Sequence, residues 1–175
     1  EKFKGKGVSA CATCDGFFYK GKDVAVVGGG DSAVEEATYL AGLAKKVYMI
    51  VRKDYLRASK IMQARAEQTE NLEILYEHET KEVLGDDSGV TGVLLRNKKE
   101  NKDVTVKIEG FFLGIGHTPN SKPFKDYLEM DETGYIITKP DSTKTNIEGV
   151  FACGDVQDSI YRQAVTAAGS GCKAA

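Results

Sequence analysis

Apolar residues fall along the chain in two rhythms that predict two kinds of element. Asp23–Gly28 (DVAVVG) and Lys46–Val51 (KVYMIV) are short, nearly continuous apolar runs bounded by charge or glycine. That is the pattern of strands covered on both faces of a parallel sheet. Between them, from Ser32 to Leu43, the residues Ala33, Val34, Ala37, Leu40 and Ala41 recur at helical spacing, and Glu35 and Glu36 lie in the first turn, where the helix dipole favours acids. These elements predict a strand, helix, strand unit with a right-handed crossover.

A second helix is expected over Ser59–Thr69 and a strand over Leu72–Tyr76. Beyond it the apolar positions alternate and are interrupted by polar turns at GDDSG and NKKENK. This predicts a three-stranded antiparallel excursion over Thr80–Ile108, after which the sheet resumes at Phe111–Leu113. Every proline is late (Pro119, Pro123, Pro140), and the chain after GHTPN is loop-rich as far as Gly149–Cys153. A boundary is therefore expected near residue 117, separating a unit at 1–117 from one at 118–175.

Composition narrows the class of partner. The chain has 175 residues, 41% of them hydrophobic, which suffices for a buried core. With 24 Lys+Arg against 26 Asp+Glu, the net charge of -2 gives no basic field for nucleic acid or an anionic membrane. No apolar run is long enough to span a bilayer, and the opening EKFKGKGVSA lacks the apolar centre of a signal peptide. The expectation is a soluble, cytoplasmic protein. The missing initiator Met and the small-residue ending GSGCKAA are read as the cut ends of a longer chain.

Two motifs carry candidate chemistry. Gly28-Gly29-Gly30-Asp31-Ser32-Ala33 fits G-x-G-x-x-A directly between a strand and a helix. Gly28 permits a tight turn, Gly30 a close backbone approach to a pyrophosphate, and Ala33 close helix packing. Asp31 and Ser32 open the helix, whose N-terminus favours the anion. The fold class that follows is α/β, a Rossmann-like three-layer dinucleotide-binding domain with an antiparallel β excursion. The next strand ends in Val51-Arg52-Lys53, with Arg57 shortly after, where an NAD-binding site would place an acid on the ribose. Arg52, Lys53 and Arg57 therefore point to the 2′-phosphate of NADPH, while Lys45, Lys46, Lys60 and Arg65 read as a solvated basic face.

The second motif is Cys11-Ala12-Thr13-Cys14, followed by Asp15 and Gly16. Four cysteines are too few for a secreted disulfide scaffold, and the CxxC spacing suits a reversible disulfide whose thiolate forms near neutral pH. A structural zinc is the alternative, but it needs a second ligand pair that the sequence lacks. Asp15 is either a turn residue or an acid-base group beside the dithiol. Cys153 and Cys172 read as buried bystanders, and His78 and His117 as surface or loop residues without a partner.

The segments CATCDG, VVGGGDSAVEEA, VRKDYLR, GIGHTPN and GVFACGDVQDSIYRQA occur in an order that resembles the low-molecular-weight thioredoxin reductases. The resemblance implies a homodimeric flavoprotein with an NADPH domain inserted into a split FAD domain. Residues 1–117 would be the NADPH domain with the redox centre, and 118–175 the truncated C-terminal part of the FAD domain. Electrons would pass from NADPH through FAD to the Cys11–Cys14 disulfide and on to thioredoxin. Cys14 would be the flavin-side sulfur, Cys11 the one that attacks thioredoxin, and Asp15 the acid-base residue. Gly154, Asp155, Arg162, Gln163 and Ala164 would contact FAD.

The chain departs from the family pattern at Val51 and Lys53, where His-Arg-Arg is usual, and at Cys153, where Ala is common. The resemblance also implies rotation of the NADPH domain about hinges near Gly5–Gly7 and Gly114–Thr118. Alternatives are a flavoprotein that reduces a peroxiredoxin, a ferredoxin-linked disulfide reductase, or a non-enzymatic NADPH-binding redox sensor. Alone, this chain is expected to bind NADPH but neither to retain FAD nor to turn over.

Overall fold

Val24, Ala25 and Val26 are all fully buried, which a strand achieves only when both faces of its sheet are covered. In the computed structural model, which describes residues 2–175, they lie in β2 (Asp23–Val27) of a five-stranded parallel sheet. Its other strands are β1 (Val8–Ser9), β3 (Lys46–Val51), β4 (Leu72–Tyr76) and β8 (Gly110–Leu113), in the order β1-β8-β2-β3-β4. Strands β5 (His78–Asp86), β6 (Gly89–Asn97) and β7 (Lys102–Val106) form a separate antiparallel sheet.

Alternation along β2 divides the core between two layers. Val24 and Val26 pack on one face with Ala33, Val34, Ala37 and Leu40 of helix α2 (Asp31–Ala41), the second helix after α1 (Ala12–Asp15). Ala25 packs on the other face with Ile50, Phe111 and the antiparallel-sheet residues Val90, Val93 and Leu95. Helices, parallel sheet and antiparallel sheet are thus the three layers of a Rossmann-like α/β fold. Helix α3 (Lys60–Glu67) is shorter at both ends than the apolar pattern suggests.

The antiparallel excursion begins two residues before Thr80, and the reason lies in one backbone conformation. Glu77 is left-handed (φ 57°). Its N–H donates to the Lys53 carbonyl at 3.0 Å, and its own carbonyl accepts from Lys98 N–H at 2.8 Å. The chain therefore turns from one sheet into the other within a single residue. The two glycines of the first expected hinge differ in their surroundings: a Cβ at Gly5 would meet nothing within 4 Å, whereas Gly7 accepts from Phe111 N–H at 2.7 Å and a Cβ there would lie 2.5 Å from the Val90 side chain.

The chain divides into two compact units, the first ending at Gly116 and the second running His117–Ala175. The second unit is built on Leu128, Ile136 and Ala152, with bridges Met130↔Ile136 and Lys144↔Phe151 and helix α4 (Ala164–Ala174). No described helix is long and apolar enough to cross a membrane.

One core-edge carboxyl makes stability depend on pH. Glu36 of α2 is half-buried, its Oε2 has no hydrogen-bond partner among the described residues, and its pKa is pushed from 4.5 up to about 7 by burial, then by Glu35. A raised carboxyl pKa means the fold favours the neutral form. That contribution is complete below about pH 4.5 and lost as pH rises through about 7. In chemical unfolding, Glu36→Gln is expected to flatten this slope and to exceed wild type above pH 7 by about 1 kcal/mol, a value reduced for the partial exposure of the site. Parallel pH profiles for the two proteins would refute this.

Candidate functional site

The chain leaves β2 to build β3 and β4 on one side, then returns to build β8 on the other, so the strand order reverses beside β2. In open α/β sheets a ligand crevice forms at such a reversal, beyond the carboxyl ends of the strands. A cleft of about 610 Å³ lies there, lined by Gly28, Gly29, Arg52, Lys53, Tyr55 and Arg57, with His78 from β5.

Gly28 is required by its surroundings. Its φ is 147°, and a Cβ would fall 2.2 Å from the Gly114 carbonyl oxygen and 2.7 Å from Ala33 Cβ. Gly30 is the N-cap of α2, and a Cβ there would meet nothing within 4 Å, so the backbone is open to a ligand. The Gly29 carbonyl accepts from Arg57 N–H at 2.7 Å and Ala58 N–H at 3.1 Å, tying the glycine turn to the basic loop. Asp31 Oδ1 accepts from Ser59 N–H at 2.9 Å, which braces the start of α3. What Asp31 and Ser32 offer a ligand is therefore chiefly their position in the first turn of α2.

Arg52, Lys53 and Arg57 are exposed, and among the described residues none forms an ion pair. Lys46 differs, being paired with Glu73 at 2.6 Å. Three uncommitted cations beside a glycine turn and a helix N-terminus make a cleft suited to a polyanion.

The cysteines of the CxxC motif are joined in a disulfide, S–S 1.99 Å. Ala12 between them is buried in the α2 core, and a Cβ at Gly16 would lie 3.0 Å from Leu40, so the dithiol turn is seated firmly on α2. Cys14 is exposed and Cys11 half-buried. The Cys11 N–H donates to Ser9 Oγ at 3.1 Å, and Cys14 N–H to Cys11 Sγ at 3.2 Å. Asp15 follows, half-buried, its N–H on the Cys11 carbonyl at 3.2 Å. The Tyr19 phenol is pushed up by burial and then by the charge of Asp15.

Asp15 and Phe18 line a groove of about 800 Å³ with Lys6, Gly7, Lys22, Asp23 and Glu109. Phe17 and Phe18 are 70% and 71% exposed. Two adjacent aromatics directly after a CxxC motif are the sequence signal for this surface. His78, expected as a surface or loop residue, is half-buried, its ring bonded to the Tyr76 carbonyl at 2.6 Å and part of the cleft wall.

In the second unit Gly154 is left-handed (φ 69°), and its N–H donates to Ser170 Oγ of α4 at 2.9 Å. Asp155 is exposed in the single helical turn Gly154–Val156. The Arg162 guanidinium reaches the Tyr135 hydroxyl at 3.4 Å and the Ser159 carbonyl. Gln163 caps α4 in a capping box with Thr166, and Ala164 is its first residue. Exposed Ile160, Tyr161 and Val165 surround that helix start, giving an apolar face beside a polar helix end. Of the other cysteines, Cys153 is half-buried, but Cys172 is exposed on α4 rather than buried. Its apolar neighbours in sequence are small and cover little surface.

The chain belongs to the pyridine nucleotide-disulphide oxidoreductase family, whose model matches residues 1–171. Within that class it is similar to thioredoxin reductases. It is 56% identical to the thioredoxin reductase of Coxiella burnetii, over 99% of this chain and 56% of that protein. It is 52% identical to the mitochondrial thioredoxin reductase of Kluyveromyces lactis, over 100% of this chain and 51% of that protein. The crystal structure of thioredoxin reductase from Streptococcus pyogenes superposes with a TM-score of 0.89 at 44% identity, covering 97% of this chain and 55% of that one. The chain thus spans about half the length of the relatives it matches. Because one of these relatives is named mitochondrial, location does not follow from the family.

Proposed function

We propose that this chain is the NADPH-binding and redox-active part of a thioredoxin-disulfide reductase, joined to the C-terminal portion of its FAD domain. The observation that carries the reading is the presence, in one unit, of a polyanion cleft at Gly28–Gly30 and an accessible Cys11–Cys14 disulfide seated on the same helix. A homodimeric enzyme belongs to the same reading, supported by the resemblance, and a cytoplasmic location is proposed with it on the sequence pattern alone.

The cleft residues fit NADPH. Gly28, Gly30, Asp31 and Ser32 would hold the pyrophosphate at the start of α2, and Arg52, Lys53 and Arg57 the 2′-phosphate. Lys53 supplies a point charge where a planar guanidinium could bind bidentately, so Arg52 and Arg57 carry most of the orientation. The second unit fits FAD, with Gly154 and Asp155 near its phosphate and ribityl part, and Arg162, Gln163 and Ala164 at the ring, beside the apolar face of Ile160, Tyr161 and Val165. When bound, these groups supply two electrons, taken as hydride from the nicotinamide and passed by the flavin to the disulfide. Cys14, the more exposed of the two residues, takes the flavin side. Cys11, freed as a thiolate, attacks the disulfide of thioredoxin. Asp15 holds or releases the proton that each sulfur exchanges. The groove at Phe18 offers thioredoxin an apolar contact next to the dithiol.

The reading is tested by joining this chain to the segment its relatives carry and following thioredoxin-dependent NADPH oxidation. Turnover with thioredoxin and not with ferredoxin or a peroxiredoxin is expected; none with any of them would defeat it. For the cleft, Arg52→Ala and Arg57→Ala together are expected to reduce the preference for NADPH over NADH by about a hundredfold, from two charge-assisted contacts. Equal losses for both nucleotides, measured by titration, would remove the 2′-phosphate from this site.

A further inference from the structure

His78 borders the cleft because of long-range register. Parallel pairing sets Val51 opposite Tyr76, and the left-handed Glu77, bonded to Lys53, then turns the chain so that β5 begins beside the end of β3. The ring is fixed by its Nδ1, 2.6 Å from the Tyr76 carbonyl oxygen. A carbonyl only accepts, so Nδ1 must carry the proton, and a neutral ring then presents Nε2 as a bare lone pair. The charged groups facing this wall are Arg52, Lys53 and Arg57, and Glu79, which is paired with Lys98 at 3.2 Å. Tyr55, 55% exposed in the same cleft, offers a flat face.

We infer that His78 is a base-reading residue: its Nε2 accepts a hydrogen bond from the exocyclic amine of the adenine, whose ring lies against Tyr55. This rests on the reading of the cleft as an NADPH site. Adenine presents a donor at this edge, whereas hypoxanthine presents a carbonyl oxygen, which would oppose the His78 lone pair. The contact distinguishes bases and leaves recognition of the 2′-phosphate to the three cations.

The test is nucleotide titration of the whole 175-residue chain at about pH 8, where an imidazole is ordinarily neutral. The probes are NADPH, NADH and the reduced hypoxanthine analogue of NADPH. Wild type is expected to bind NADPH about tenfold more tightly than the hypoxanthine analogue. His78→Ala, and His78→Phe as a variant that keeps the ring volume, should bind the two almost equally while retaining the preference for NADPH over NADH. Equal affinity of wild type for both bases would overturn the inference. So would variants that keep the base preference but lose the preference for NADPH over NADH, since His78 would then face the phosphate. If wild type binds no NADPH, the cleft reading falls, and this inference with it.

Discussion

A Cys14→Ser variant is expected to reduce thioredoxin-dependent NADPH oxidation by about a thousandfold or more when this chain is joined to the remainder its relatives carry. A hydroxyl in place of the sulfur cannot form or re-form the disulfide to Cys11, so no acceptor for two electrons remains on the α2 surface. The fold should survive, because Cys14 is exposed while the packing of this turn rests on Ala12 and Gly16. Unchanged thermal unfolding alongside lost turnover would assign the effect to chemistry. Retained turnover would remove the dithiol from the electron path.

Gly28→Ala is expected to have the second-largest effect, on stability and binding together. The new methyl would lie 2.2 Å from the backbone oxygen of Gly114, which cannot move without dragging β8, and φ at this residue is 147°. Strain and overpacking of this kind cost about 2 to 4 kcal/mol, and the turn beneath a nucleotide would be displaced as well. Gly30→Ala separates the two consequences. A Cβ there meets no protein atom within 4 Å, so the fold should hold while any ligand approaching the backbone is obstructed. Urea unfolding and NADPH titration of both variants read the two quantities. Comparable stability for Gly28→Ala and wild type would contradict the packing argument.

Strands β2, β3 and β4 are legible in the sequence because each is an apolar run whose length a buried strand needs, and Gly28–Ala33 marks the turn into α2. The basic residues at the end of β3 are legible for the same local reason. What escapes is whatever depends on register between distant segments. His78 means nothing until parallel pairing sets Tyr76 beside Val51, and Glu77 gives no sign in sequence that it will adopt a glycine-like conformation. Asp31 reads as a residue of the phosphate turn, yet its carboxylate is spent on Ser59, twenty-eight positions away. The close packing of Gly7 is likewise invisible locally, because the Val90 side chain beside it comes from the antiparallel sheet. Local chemistry could be read along the chain; commitments between layers could not.

The two clefts of the first unit open at opposite ends of β2, with Lys22 and Asp23 at the groove beside Asp15 and Phe18, and Val27 and Gly28 at the other. A five-residue strand spans about 16 Å, and its buried side chains leave no passage along it. On the proposed reading, a dinucleotide and a folded protein would meet two clefts whose linings have no residue in common. On that reading, direct competition between the two for one cleft is not expected, and a competition titration would check it.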